Sequence, residues 1–316
     1  MPSLAHTVPE ALCGGLRLDR YVAENLRLLS RSQIKARELK VAVNGKEAKL
    51  SRPIKSGDVL ELSWKEAAPT DLVPENIPLD IIHEDGRAVV INKPQGMVVH
   101  PGAGNWRGTL ANALYYRKLH GGQNGRCLEA AGLRPAGLRP GIVHRLDKDT
   151  SGVMIAAYDD EALAFLAGQF KSRKARKKYV AIASGIPREK KGRIETFIAR
   201  DPKDRKRFAV AGQGRAALTF YSVLKTWQKH SLLLLRPKTG RTHQLRVHLR
   251  HLGHPIVGDP LYGLSPDLQF PRASLMLHAR SLAITLPGEE GARLFKAPLP
   301  RRFAEMIRRL DGVAVK

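Results

Sequence analysis

Between residues 16 and 64 the apolar positions change period along the chain. Leu18, Tyr21, Val22 and Leu26 fall three and four apart, the spacing of one helix face, and Leu29-Ser30 breaks the pattern. Ser30 or Ser32 is placed to cap a second short helix through Ile34 to Leu39, ringed by Arg31, Lys35, Arg37 and Lys40. The period then drops to two. Val41-Ala42-Val43 predicts a strand that runs into Asn44-Gly45, a dipeptide suited to a tight hairpin. Ser56-Gly57-Asp58 predicts a further turn before the strand Val59–Leu62. Pro69, Pro74 and Pro78 then interrupt any regular pattern, which predicts a linker over 65–78.

From Leu79 onward strands and helices alternate without a regular βαβ period. Strands are predicted over Ala88–Asn92 and, with apolar residues throughout, over Val153–Ala157. A helix follows with Leu163, Leu166 and Phe170 on one face, acids at its start and cations at its end, as the helix dipole favours. Leu245, Leu249 and Leu252 repeat at i, i+4, i+7 in a later helix that Gly253 stops. The order predicts an α+β fold rather than a doubly wound sheet. In AGLRPAGLRP at 131–140 a five-residue unit is repeated once, too short for a solenoid, and 119–140 reads as a long basic loop.

Composition narrows the partners. The 316 residues carry 54 Lys and Arg against 29 Asp and Glu, a formal charge of +25, with 43% hydrophobic residues. That length suggests two domains and the apolar content a real core, which excludes wholesale disorder. The charge points to a polyanion, nucleic acid or an anionic membrane. The membrane reading is poor, because an aliphatic stretch such as Ser231–Leu235 is far below a span. The first fifteen residues have neither a basic start nor an apolar stretch, so no signal peptide is expected. Cys13 and Cys127 form no CxxC, which fits a reducing compartment, and a cytoplasmic location is expected.

Four segments could carry chemistry. Lys93–Gly104 is a Gly- and Pro-punctuated loop whose GxG lacks the spacing of a dinucleotide fingerprint and has no obvious helix after it, so a tight structural turn is expected. Gly141–Gly152 holds Asp147 and Asp149 two residues apart, on one side of the chain if it is extended, with Arg145 and Lys148 beside them. Flanking cations favour the charged form of a carboxylate, which suits a nucleophile or base better than an acid. In Arg176–Gly185, Tyr179 opens a strand straight after a cationic run and is either half-buried core or a stacking platform for a base. Pro237–Leu249, continuing to Asp259, sets Arg246 beside the leucine stripe, where a cleft wall can take it up. His243, His248, His251 and His254 crowd there, but without HExxH or a His pair at i,i+4 no metal site is expected.

Residues 16–64 resemble the S4 RNA-binding module through LRLDRYVAE, SRSQIKARELKVAVNGK and IKSGDVLEL. Residues 79–305 resemble the RluA/RluD-type pseudouridine synthases. HRLDxxTSG stands in full as His144–Gly152, and KPxGxxVHPxxG, KxYxA and TGRTHQLRxHL…GHPIxGDxxYG segments follow the family's order. Leu277-His278-Ala279 and Phe295–Pro300 also match, and VVHPGAGNWRGTLANAL is closest to the branch acting on large-subunit ribosomal RNA. The insertion at 119–140 departs from the pattern.

The resemblance implies an S4-like α/β domain over 16–64 and a pseudouridine synthase domain over 79–310, with a mixed, largely antiparallel sheet and an active-site cleft. It implies an isomerase that converts uridine to pseudouridine in 23S ribosomal RNA, in a stem-loop or the pre-ribosomal large subunit, as a monomer without cofactor or metal. Asp147 takes the catalytic aspartate's position, Arg246 that of its paired arginine, and Tyr179 that of the aromatic residue contacting the base. Arg145 matches the residue that fills the stack vacated by the flipped uridine. His100, His144, Arg241 and Leu277 are implied substrate or RNA contacts, and Arg31, Lys35, Arg37 and Lys40 the RNA-gripping cations of the first domain. The rival reading is a non-catalytic RNA-binding or ribosome-assembly factor, and a metal-dependent hydrolase is a third. An acid framed by arginines on a turn is what a pure binder does not need.

Overall fold

The computed structural model describes residues 3–10, 15–26, 28–29, 34, 38–65, 72–102, 104–120, 141–263, 270 and 273–312. Among these the chain forms two compact units, dividing before Leu72.

In the first unit, helix α1 (Leu18–Arg20) runs straight into a π-helical turn, Tyr21–Asn25. Leu18, Tyr21 and Val22 are buried, as their spacing requires. An antiparallel sheet of β1 (Ser3–Thr7), β2 (Lys40–Val43), β3 (Lys46–Glu47) and β4 (Val59–Ser63) has the order β1-β4-β2-β3. Asn44 and Gly45 both take positive φ, 54° and 73°, which the two-residue hairpin turn demands. The Asn44 side chain also accepts from the Val59 amide and donates to Asp58, tying the hairpin to β4. Strand β1 was not legible in the sequence. It has little apolar alternation of its own and is defined by its pairing with β4. The middle of the expected Ile34–Leu39 helix, residues 35–37, lies outside the described residues, as do Arg31 and both cysteines, whereas Lys40 is exposed on β2.

The second unit is built on one eleven-stranded sheet with the order β11-β10-β12-β13-β9-β14-β8-β6-β5, β15 beside β14 and β7 beside β8. The strands are β5 (Ile81–Glu84), β6 (Ala88–Lys93), β7 (Gly141–Ile142), β8 (Ser151–Ala157), β9 (Arg176–Ser184), β10 (Lys191–Arg200), β11 (Phe208–Ala211), β12 (Arg215–Thr226), β13 (His230–Pro237), β14 (Leu277–Thr285) and β15 (Ala292–Lys296). Among the described residues only β8 and β14 pair in parallel, so the sheet is mixed and largely antiparallel, and the unit is α+β. Strand β8 is apolar because both of its faces are covered. Val153, Ile155 and Ala157 pack toward helix α3 (Asp160–Lys171) through Ala162 and Leu166. Met154 and Ala156 join the opposite core with Leu110 and Leu114 of α2 (Leu110–Leu119), Leu245 and Leu249 of α4 (Gln244–His251) and Phe303 and Met306 of α5 (Arg301–Leu310).

Helix α2 corrects the expectation that none follows the Lys93–Gly104 loop. Its N-terminus is a capping box of Thr109 and Asn112, which the preceding glycines obscure in the sequence. Of the expected linker, 66–71 lies outside the described residues. Val73 and Glu75 are hydrogen bonded to Asn112, and the Glu75 carboxylate accepts from the Gly108 amide. Among the described residues no helix is long and apolar enough to cross a membrane.

Candidate active site

Five segments meet at a cleft of about 520 Å³ in the second unit: the loop between β7 and β8, the end of α3, the starts of β9 and of β14, and the turn leading into α4. Asp147, Arg246, Tyr179, Arg145, His144, Arg241 and Leu277 all line it.

The loop carrying Asp147 is a turn rather than an extended segment, closed by the Thr150 amide donating to the Asp147 carbonyl (3.1 Å). The side-by-side placement of Asp147 and Asp149 is therefore not found. A second segment clamps this turn. The fully buried Lys93 ammonium donates to the carbonyls of Pro94, Met97 and Lys148. The Gly96 amide also donates to Lys148, and the Gln95 side chain to the Asp149 carbonyl. Burial pulls the Lys93 pKa down to about 8 against the pull of the Asp149 and Asp147 carboxylates. The turn expected of 93–104 is present, but its work on the Asp147 loop was not foreseen.

Helix α4 opens on a latch. Gln244 Oε1 accepts from the Thr239 hydroxyl (2.7 Å) and the Arg241 amide (3.0 Å), while its Nε2 donates to Leu218 and Thr219. The latch fixes the turn 239–243 against β12 and aims Arg246 inward, where it is only 4% exposed. Arg246 is paired differently from expectation. Its Nε and Nη2 make a bidentate contact with the Asp259 carboxylate, both at 2.7 Å, while Nη1 reaches Asp147 Oδ2 at 3.4 Å. Burial works against the Arg246 charge, but Asp259 and Asp147 outweigh it and leave the guanidinium more basic than usual. Asp259, whose Oδ1 also accepts from the Leu261 and Tyr262 amides, is the main residue missed. The signal was the GDxxY segment after Gly253. The carboxylate there had no partner in sequence range.

Tyr179 lies in β9 between Leu235 of β13 and Ala279 of β14 and is buried. Burial, and then the Asp147 charge, push its phenol pKa up, so it stays neutral. Leu277 gives an apolar wall, and Arg145 is exposed at the rim. Arg241 spends its Nε on the Ala216 carbonyl. His144 stacks on Phe170 with ring centroids 4.4 Å apart and accepts from the Ile155 amide, and burial lowers its pKa to about 3. His100 is exposed and outside the cleft lining, within the field of Arg145.

The four crowded histidines go different ways. His243 faces Asp147, His248 is buried against Thr196 and Thr219, His254 meets the Ser184 carbonyl, and His251 is exposed. The cleft thus presents one half-exposed carboxylate, held on one oxygen by a buried cation, beside a neutral phenol and beneath a cationic rim. Such a group can add to an electrophilic carbon or stabilise a developing positive charge.

A family model described as RNA pseudouridylate synthase matches residues 87–251, which includes Asp147, Tyr179 and Arg246. A protein named "Ribosomal large subunit pseudouridine synthase D" from Borreliella burgdorferi is 43% identical over 295 residues, covering 91% of this chain and 87% of that protein. One of the same name from Xylella fastidiosa is 38% identical over 321 residues, covering 95% and 90%. The solved structure of human RNA Pseudouridylate Synthase Domain Containing 4 superposes with a TM-score of 0.56 at 29% identity, covering 73% of this chain and 93% of that one.

Proposed function

Because this chain belongs to the RNA pseudouridylate synthase family, and so is an isomerase acting on RNA, we propose that it converts specific uridines of large-subunit (23S) ribosomal RNA to pseudouridine, with Asp147 as the catalytic carboxylate. The observation that carries the site is the Asp147 carboxylate on the cleft floor, gripped on Oδ2 by a buried arginine. The names of the two bacterial relatives support the ribosomal substrate.

The reaction breaks the N1–C1′ bond of a flipped-out uridine, rotates the base, joins C5 to C1′, releases the C5 proton and leaves N1 carrying one, so that product and substrate are isomers. No electrons enter or leave, so the chemistry calls for no redox cofactor. Asp147 meets the reacting carbon or its charge. Tyr179 and Leu277 hold the detached base against loss to solvent, and Arg145, exposed beside the cleft, fills the gap left in the stack. The cationic rim and the first unit, an S4-like module, grip the phosphates of a structured stem-loop, and the protein acts on the RNA as a monomer in the cytoplasm.

Asp147→Asn is expected to abolish pseudouridine formation in a ribosomal RNA stem-loop while RNA affinity stays within a few-fold, since phosphate contacts dominate binding. Asp149→Asn is expected to keep substantial activity. Turnover by Asp147→Asn above background would overturn the assignment. Mapping pseudouridines in 23S RNA from cells with and without the gene tests the substrate directly.

A further inference from the structure

His243, beside the proposed catalytic carboxylate, has no part in the reading above. It is the N-cap of α4 and takes a left-handed backbone, φ 56° and ψ 16°, which non-glycine residues rarely adopt and which concentrates at functional sites. Its ring is hydrogen bonded at one nitrogen and faces the carboxylate with the other. Nδ1 lies 2.8 Å from the Tyr262 hydroxyl, and Nε2 lies 4.0 Å from Asp147 Oδ2.

The donors along this line favour one tautomer. The Phe208 amide donates to the Tyr262 hydroxyl at 2.8 Å. An amide N–H has only its hydrogen to give, so the phenol oxygen accepts there, and the arrangement that spends both the lone pair and the hydrogen of the hydroxyl has the phenol donating to Nδ1. In that arrangement Nδ1 accepts. A neutral imidazole that accepts at Nδ1 carries its hydrogen on Nε2, the nitrogen aimed at Asp147. Burial lowers the His243 pKa, opposed by Asp147 and Asp259 and aided by Arg246 and Arg145, which agrees with a neutral ring. The Tyr262 ring is fixed in turn by the Arg246 guanidinium, 5.0 Å from its centroid.

Both of these contacts to the carboxylate, from Arg246 Nη1 and from His243 Nε2, fall on Oδ2. Among the described residues nothing similar engages Oδ1. We propose that His243 is a positioning residue for Asp147: Tyr262 sets its tautomer so that the Nε2 hydrogen faces Oδ2, and the two contacts turn Oδ1 toward the substrate as the reacting oxygen. This rests on Asp147 being the catalytic carboxylate. An inactive Asp147→Asn beside a fully active His243→Asn would overturn this inference alone, whereas an active Asp147→Asn would overturn the site itself.

The variant of choice is His243→Asn. Asparagine tolerates the left-handed backbone, its Oδ1 can take the Tyr262 hydrogen bond in place of Nδ1, and it has no atom where Nε2 stood. With saturating ribosomal RNA stem-loop, the single-turnover rate is expected to fall at least about tenfold, the scale seen when an outer partner of an active-site ligand is removed. The RNA Kd is expected to stay within about twofold, since every phosphate-binding cation remains in place. Tyr262→Phe should also slow the reaction, and the double variant should be no slower than His243→Asn alone, because Tyr262 acts through the histidine. A wild-type rate in His243→Asn, or additive losses in the double variant, would overturn the proposal. Independently of any variant, 15N spectra of histidine-labelled wild-type protein should show His243 protonated on Nε2. Protonation on Nδ1 would break the chain of donors at its centre.

Discussion

Arg246 serves two carboxylates with one planar guanidinium, and the division is unequal. The two short contacts go to Asp259, which is fully buried, and the long one to Asp147, which faces the cleft. Asp259 therefore bears the cost of burying the arginine, and Asp147 is left free enough to react. Removing one partner of a buried pair strands the other charge and typically costs about 3–5 kcal/mol. Asp259→Asn is thus expected to lower the unfolding free energy by about that amount and to slow catalysis as Arg246 shifts. Urea unfolding followed beside single-turnover rates is the check. An unchanged midpoint would show that Asp259 does not carry the arginine. Lysine could not replace Arg246 here, having no planar fork to share between two acids.

At the scale of elements, the Asp147 turn is aimed by what flanks it. Lys93 and Gly96 hold the Lys148 carbonyl from one side. On the other side β8 leaves the turn and pairs in parallel with β14, Ser151 opposite His278 and Gly152 opposite Ala279. Gly152 has φ 117°, and a Cβ there would stand 2.2 Å from the Ala279 carbonyl oxygen. That is backbone against backbone, so no side chain can move aside. Gly152→Ala is expected to destabilise the fold by about 1–3 kcal/mol from overpacking, before the strained backbone is counted. The result to look for is a lower urea midpoint at unchanged slope. A wild-type midpoint would mean that the β8–β14 approach is looser than described.

For the whole molecule the first question is division of labour. The first unit has its own core of Leu18, Tyr21, Val22, Ile54, Leu60 and Leu62, and the cleft lies within the second. Val73 and Glu75 are tied to Asn112, so the cut that respects the hydrogen bonds falls before Leu72. Removal of residues 1–71 is expected to leave a folded, catalytically competent protein. The truncated protein should bind its stem-loop more weakly, with the slope of log K against log[salt] reduced by about 0.7–0.9 for each phosphate that is no longer neutralised. Single-turnover rates at saturating RNA should fall less than kcat/KM. An unchanged Kd and slope in the truncated protein would end the RNA-binding account of the first unit.

Local features were legible without coordinates: the Asn44-Gly45 hairpin, the buried helical positions Leu18, Tyr21 and Val22, the helix faces of α3 and α4, the apolar β8, and the α+β order. Each depends on periodicity or on the backbone freedom of one or two residues, which neighbours in the chain determine. The residues Asp147, Tyr179 and Arg246 could also be picked out, because acid, aromatic and cation stand in unusual company along the sequence. The partners of those residues could not. Asp259 meets Arg246, Lys93 meets the Lys148 carbonyl, and Phe208, Tyr262, His243 and Asp147 come together from four separate stretches of chain. Strand β1 exists only through its pairing, and Asp147 and Asp149 are parted by a turn that alternation does not signal. Hydrogen bonds and ion pairs between distant segments follow from how the strands are ordered in the sheet, and that order is decided by packing rather than by local pattern.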